Sequence, residues 1–405
     1  MNETFTVTSS EILTETPTIT EDLTVASARN VFSRLHHANT PKTKTGVVEK
    51  FKKKQFAKNT FKGKKIEKMY TAIGHDRSVQ CLKMIDLPNR NWLSSGSKDR
   101  SVKVWDMAHF TESHTLAGHP TNINAIEWIQ STNQLASASG HYTHLWDLRS
   151  EKCTNMLLSS GAEEVRKTFT PCTHRITNER PVGESDVKAL HCFGDNHMLV
   201  SAALSVYLWD VRHMRSAIGG LQTIKETTCF SSNSQNIFMG DKFHNIKSYD
   251  RSKLEVLIYD DFSTGVEQTM PLINPVHGFK PPHFDAVTGI LSNEDSMYTV
   301  SKDGNIKMWD LQNKRQHDQK YKIHDGDWVT DMCWLQYGQY ERDDSKLICS
   351  VGRDRGIKVH RQETLEVIGE VSGAHAEGIN AVETSRQMIF SAGDDKVINI
   401  WASLI

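Results

Sequence analysis

The sequence predicts an all-β fold, a seven-bladed β-propeller preceded by a disordered leader. Three observations predict it. A strand-ending Trp-Asp pair, or its equivalent, recurs at Trp105-Asp106, Trp146-Asp147, Trp209-Asp210, Tyr249-Asp250, Trp309-Asp310, His360-Arg361 and Trp401-Ala402, in steps of 41, 63, 40, 60, 51 and 41 residues. Four of these steps match one four-stranded blade each, and the two long ones read as a blade plus a loop of about 20 residues. Between the markers, residues alternate with period two, as in Ser101-Val102-Lys103-Val104-Trp105 and Asn305-Ile306-Lys307-Met308-Trp309. Polar turns such as Lys98-Asp99-Arg100 and Lys302-Asp303-Gly304 separate these strands.

The leader comes first, assigned to residues 1–63. Residues 1–24 carry Glu3, Glu11, Glu15, Glu21 and Asp22 with no Lys or Arg, are rich in Thr and Ser, and have no apolar period. The stretch beginning at Lys42 is the reverse: eleven lysines up to Lys68, among them Lys52, Lys53 and Lys54, against Glu49 and Glu67. Its part up to residue 63 belongs to the leader. Such a run attracts polyanions, or is simply a solvated linker. The net charge of −1 over 405 residues hides these two opposite segments.

The propeller is assigned to residues 64–405. The expected outer strand of blade 7 comes from residues 64–73, because the chain stops four residues after Trp401. Joining first and last strands removes an open sheet edge. Within blades, four residue types return at fixed offsets: His75, Ser95, Asp99 and Trp105; His283, Thr299, Asp303 and Trp309; His375, Ser391, Asp395 and Trp401. The hydroxyl lies four before the Asp and the Trp six after it. Blade 6 offers His324, Ser350 and Asp354 with His360 in place of Trp. Blades 2 and 3 have shortened turns without the Asp, and blade 4 has Phe243 and Tyr249 where Asp and Trp belong. Blades 2 to 4 are therefore expected to be the softer part.

A His, Ser and Asp set also suits a hydrolase, but a catalytic triad occurs once and this set repeats at structural spacing. No GxSxG elbow is present. The chain is read as a non-enzyme, with no catalytic residue, metal or cofactor. Seven scattered cysteines form no CxxC pair, which indicates neither zinc nor a disulfide framework but reduced cytosolic thiols. No run approaches the ~18 apolar residues of a membrane span. No small-molecule substrate is implied.

The repeated His–Asp–Ser/Thr–Trp set resembles the WD-repeat family. Some segments are more specific: Asn30 to Leu35, Leu158-Ser159-Ser160-Gly161, Pro181 to Glu184, the run from His277 through Phe279-Lys280-Pro281-Pro282-His283-Phe284-Asp285, and His324 to Val329. Together these resemble the C-terminal propeller of kinesin-like proteins of the kinesin family member twenty-one type, over about residues 30–402. Neither a GxxxxGK[ST] loop nor a heptad stalk is present, so motor activity is not implied. The initial Met favours a chain that stands alone.

If the tetrads form, the neighbours of each Asp face outward. Arg77, Lys98, Arg100, Lys302, Arg353, Arg355 and Lys396, with Lys52, Lys53 and Lys54 of the leader, are the candidate partner-binding residues. Trp128, Trp328 and Trp334 are either interface anchors or, more in keeping with burial preference, core. The expected function is a protein-interaction scaffold, cytoplasmic and cytoskeleton-associated. The resemblance implies tubulin or microtubule-associated factors as partners. The alternatives are a substrate receptor of a cullin-type ubiquitin ligase, suggested by Trp146-Asp147-Leu148-Arg149 and Trp209-Asp210-Val211-Arg212, and an RNA-associated scaffold using the basic leader. Nucleic acid is the weaker partner, since no recognised stacking module accompanies the lysines.

Overall fold

In the computed structural model, the described residues are 66–403 apart from 88–89, 149–151, 159–185, 194–197, 203–204, 212–216, 224, 260–270 and 337–345. The period-two segments become strands, which form seven sheets, antiparallel but for one short parallel strand at the edge of blade 3. Blades 1 to 7 begin with the strands Val79–Leu87, Ile123–Ile129, Ala189–Phe193, Thr227–Ser232, Val287–Ser292, Val329–Gln336 and Ile379–Ser385. These seven strands surround a central channel of about 870 Å³. Each neighbours the next, and the seventh neighbours the first. The chain is thus a closed seven-bladed propeller.

Alternation puts apolar side chains on both faces of every blade, because each face meets another blade. One buried apolar cluster lies at each of the seven blade junctions. Between blades 7 and 1, for example, Leu82, Leu93 and Trp105 meet Phe390, Ala392 and Ile400. Between blades 4 and 5, Phe238 and Ile246 meet Val287, Ile290 and Trp309.

A second tie runs around the channel. Six first strands carry a bulge one residue after they start, at Gln80, Asn124, Thr228, Thr288, Thr330 and Asn380. Five of these residues reach the next blade. Asn124 donates to the Val187 carbonyl at 2.9 Å, Thr228 to Val287 at 2.5 Å, Thr288 to Val329 at 2.7 Å, Thr330 to Ile379 at 2.7 Å, and Asn380 to Val79 at 2.9 Å. A bulge re-aims a side chain that would otherwise lie on a blade face. Here it converts blade stacking into a hydrogen-bonded ring. Deeper in the channel, Lys83 of blade 1 pairs with Glu127 of blade 2 at 2.9 Å.

Strand Ile66–Ile73 pairs antiparallel with Val397–Ser403, as the fourth strand of blade 7. Thr71 donates to Asn399 at 2.8 Å, and the Lys68 ammonium lies 5.5 Å from the Trp401 ring. The leader lies outside the described residues, as do Lys52, Lys53 and Lys54.

The second long insertion departs from the expected loop. It begins with helix Arg251–Tyr259, and its short strand Leu272–Ile273 runs parallel to Gly219–Leu221 of blade 3. Leu254 and Leu257, three apart on one helix face, are buried in the junction of blades 3 and 4. His277–Gly278 then supplies the outer strand of blade 4. The three tryptophans divide: Trp128 is buried, Trp334 is half-buried, and Trp328 is 40% exposed.

Candidate functional site

The sequence-predicted tetrads are the scaffold of the candidate site. In blade 5, His283 Nδ1 lies 2.9 Å from the Asp303 carboxylate, His283 Nε2 lies 2.9 Å from Thr299 Oγ1, and Trp309 Nε1 lies 2.9 Å from the same oxygen. Burial favours the neutral His283 ring. The carboxylate only accepts, so in that ring Nδ1 carries the hydrogen and Nε2 accepts. The hydroxyl donates to Nε2 and accepts from the indole. Blade 1 repeats the relay at 2.7, 2.7 and 2.8 Å through His75, Asp99, Ser95 and Trp105. Blade 7 does so at 2.9, 2.8 and 2.9 Å through His375, Asp395, Ser391 and Trp401.

The order Asp–His–hydroxyl is also that of a catalytic triad, and the difference lies in access. Ser95, Thr299 and Ser391 are fully buried, and each hydroxyl oxygen is occupied by an indole N–H. No substrate carbonyl can reach them.

Burial opposes ionisation of the four carboxylates, but hydrogen bonds and the neighbouring imidazole outweigh it. Asp99, Asp303, Asp354 and Asp395 all sit below the usual carboxylate range.

Blade 6 keeps the relay with one exchange. His324 bridges Asp354 at 2.9 Å and Ser350 at 3.0 Å, and His360 Nε2 lies 2.9 Å from the Ser350 oxygen. The imidazole N–H of His360 thus takes the part of the indole. Its buried Nδ1 makes no hydrogen bond in good geometry, with the Leu365 backbone beside it, and burial pushes the group down to about 3.

Blade 2 holds a relay that the spacing argument missed. His119 Nε2 is 2.8 Å from Ser137 Oγ, which Trp146 Nε1 also approaches at 2.8 Å. The shortened turn moves the hydroxyl to nine residues before the Trp, which hid it. The pair Gly118-His119, repeating Gly74-His75, was the available signal. With no Asp, His119 Nδ1 makes no hydrogen bond in good geometry; the Arg100 carbonyl is its nearest polar neighbour. Burial pushes its imidazole down to about 4. Blade 4 abandons polarity: Met239 occupies the hydroxyl position, and the Tyr249 hydroxyl donates instead to the Gln222 carbonyl at 2.9 Å.

Each tetrad also holds the loop above it. The residue after the histidine donates its backbone N–H to the tetrad Asp: Asp76 to Asp99 at 3.1 Å, Phe284 to Asp303 at 2.9 Å, and Ala376 to Asp395 at 3.0 Å. The residue after the Asp takes a left-handed backbone, at φ 70° for Arg100, 78° for Gly304, 66° for Arg355 and 68° for Lys396. Glycine adopts this at no steric cost, whereas Arg and Lys do not.

The predicted cations among the described residues sit on the tetrad loops and turns, though not as a uniform ring. Arg77, Arg100, Arg355 and Lys396 are exposed, and Lys98 and Lys302 are half-buried. Arg353 is committed elsewhere: its Nη1 lies 2.5 Å from Asp394, which also accepts from Ser78 and Asn380 across the closure of the ring. Arg149 and Arg212 of the two Trp-Asp-x-Arg runs lie outside the described residues.

Fold, repeat spacing and relays define a WD-repeat β-propeller. The WD domain, G-beta repeat model matches residues 66–106, 110–147 and 274–310. The chain is 30% identical over 340 residues to kinesin-like protein KIF21A of Homo sapiens, covering 82% of this chain and 19% of that protein. It is 28% identical over 338 residues to kinesin-like protein KIF21B of Mus musculus, covering 82% and 18%. With kinesin-like protein klp-12 of Caenorhabditis elegans it shares 24% over 360 residues, covering 85% and 21%. The expected likeness to kinesin-like proteins is therefore present. The chain spans about a fifth of the length of these relatives. Among the described residues, no helix is long and apolar enough to cross a membrane, and no group of His, Cys, Asp and Glu is arranged to hold a metal ion.

Proposed function

We propose that this propeller is a non-enzymatic protein-interaction scaffold that works on microtubules or on cargo linked to kinesin-type motors, in the cytoplasm and associated with the cytoskeleton. The fold is of a protein-interaction scaffold type. The observation that carries the finer reading is the match to kinesin-like proteins over 82% of this chain. The exposed cations support it. Arg100, Arg355 and Lys396 hold their charges outward on strained backbone, and such strain is tolerated where a side chain has an external task. Carboxylate-rich partners such as the tails of tubulin are the matching chemistry.

The test is co-sedimentation of the full chain with microtubules. Binding is expected to fall as salt rises, and to fall again on neutralising Lys52, Lys53 and Lys54 or on reversing Lys98, Arg100, Arg355 and Lys396. Pelleting that ignores both salt and these changes overturns the electrostatic reading. Recovery of a ubiquitin-ligase adaptor, or of RNA, in place of tubulin would favour one of the two alternative scaffolds.

A further inference from the structure

The run from Phe279 to Asp285 is the most distinctive in the sequence, and its residues have identifiable structural duties. Phe279 is buried against Trp309, ring centroids 5.5 Å apart. The carbonyls of Pro281 and Pro282 accept from the buried Lys307 ammonium at 2.9 and 2.8 Å. His283 is the tetrad imidazole. Asp285 accepts from the Ala286 N–H at 2.6 Å. The side chains of Phe284 and of the exposed Lys280 are the exceptions. The Phe284 N–H is pinned to Asp303, yet its ring is 80% exposed. A tetrad that fixes the backbone of a fully presented aromatic resembles a mount more than a core element.

The surroundings extend this. The blade-5 turn packs on the loop that opens blade 6: a Cβ placed on Gly304 would lie 3.0 Å from the Asp327 carbonyl. On that loop stands Trp328, 40% exposed, with the Lys302 ammonium 4.4 Å and the Arg353 guanidinium 5.5 Å from its ring. Lys302 has no ion pair among the described residues, and neither does the Trp328 indole N–H have an acceptor there. The unspent groups are therefore the Phe284 ring, the exposed part of Trp328 and two donors. Asp285 and Asp327 flank them, each with one oxygen already held by the following backbone N–H. Their charge limits how well a purely acidic chain can settle.

We propose that Phe284, Trp328 and Lys302 form a docking site for an acidic peptide carrying one large apolar anchor residue. The anchor lies against the two rings, and a neighbouring carboxylate accepts from the Lys302 ammonium and the indole N–H. This deepens the scaffold reading above and rests on it. Exposed aromatics beside an unpaired cation are the usual composition of an interface centre.

The test uses the full chain and three labelled synthetic octapeptides followed by fluorescence anisotropy: glutamate-rich with a central Phe, the same with a central Ala, and a lysine-rich version with the Phe. The Phe–glutamate peptide is expected to bind, the Ala version ~10-fold more weakly, and the lysine version not at all. Phe284→Ser and Trp328→Ser should each weaken the first peptide ~10-fold, and Lys253→Glu, on the exposed side of helix Arg251–Tyr259, by less than ~2-fold. Because the Phe284 ring is exposed, its variant should melt like wild type, which separates lost binding from lost folding. The proposal is overturned if no peptide binds, if the Ala and Phe peptides bind alike, or if both serine variants bind as wild type does. Microtubule pelleting is run on the same samples. Pelleting without anchored-peptide binding rejects the docking site and keeps the microtubule reading. Peptide binding through Phe284 without pelleting does the reverse.

Discussion

Removing one hydroxyl, in Thr299→Val, isolates the worth of a tetrad. The two side chains have nearly the same shape, so no cavity opens. What is lost is the oxygen that donates to His283 Nε2 and accepts from Trp309 Nε1, both at 2.9 Å. His283 is 2% exposed and Trp309 fully buried, so water cannot replace it. Each orphaned group costs about 1–3 kcal/mol, so the substitution should destabilise by about 2–5 kcal/mol. Trp309→Phe removes the donor and leaves the hydroxyl with its imidazole, and should cost less through hydrogen bonding. The double variant should cost less than the sum of the singles, because with no indole only one group remains to be orphaned. Urea unfolding at pH 7.5, followed by far-ultraviolet circular dichroism, measures all four proteins. A loss below about 0.5 kcal/mol for Thr299→Val, with an unchanged denaturant slope, would refute the relay as a stabilising unit.

Other perturbations probe separate parts of the molecule. Deleting residues 64–73 should give insoluble protein, since it bares the edge of Val397–Ser403, whereas a chain beginning at residue 64 should stay soluble; solubility after cell lysis reads this directly. Arg100→Gly should raise stability by about 0.5–1 kcal/mol, by relieving a left-handed arginine, while lowering microtubule pelleting; a glycine variant that is no more stable would refute the strain argument. His360→Gln carries the pH prediction. Burial depresses the His360 imidazole to about 3, so the unfolded chain takes up that proton first, near its ordinary value of about 6.5. The contribution is thus fully present above about pH 6.5 and is lost as pH falls toward 3. The glutamine variant should therefore gain about 2 kcal/mol relative to wild type between pH 7.5 and 5, and a difference that does not change with pH would count against it. Hydrogen exchange should be faster in the described strands of blade 4 than in blades 5 to 7; equal protection would sink the link between tetrads and firmness.

Repetition made the fold legible. Trp105, Trp146, Trp209, Trp309 and Trp401 are all buried at the ends of equivalent strands, and a residue that returns at the same place in five blades announces its role. The tetrads were legible for the same reason, as long as the turn kept its length. Shortening it by one residue concealed Ser137, and the blade-2 relay with it. Other features had no periodic signal. The bulge residues Asn124, Thr228, Thr288, Thr330 and Asn380 look like ordinary polar strand positions until pairing shows one residue too many. The helix Arg251–Tyr259 is too short for its period to stand out from a loop. Exposure was least legible of all. Trp328 was expected in the core because tryptophan usually is, yet it is 40% exposed, with Lys302 and Arg353 against its ring.

The arrangement of tetrads bears on where a partner can be held. A hot spot needs its supporting backbone fixed before the partner arrives, because ordering a loop on binding consumes affinity. In this propeller the tetrad supplies that order, through the N–H bond from the residue after each histidine to the tetrad Asp. What the bond presents differs by blade: Asp76 in blade 1, Phe284 in blade 5 and Ala376 in blade 7. Only in blade 5 is the presented side chain large and apolar, and there the neighbouring blade adds Trp328. Blade 4, which lacks the relay, has its own exposed aromatic, Phe243, 47% exposed with the Lys225 ammonium 4.0 Å from its ring, its N–H held at 2.8 Å by Asp241 of its own turn rather than by a tetrad Asp. Asp303→Asn should separate the two roles. It weakens the hold on the Phe284 backbone while leaving every ring in place, so anchored-peptide affinity should drop even though Phe284, Trp328 and Lys302 are unchanged. If affinity survives Asp303→Asn but not Phe284→Ser, the aromatic acts alone and the tetrad is only a stabiliser.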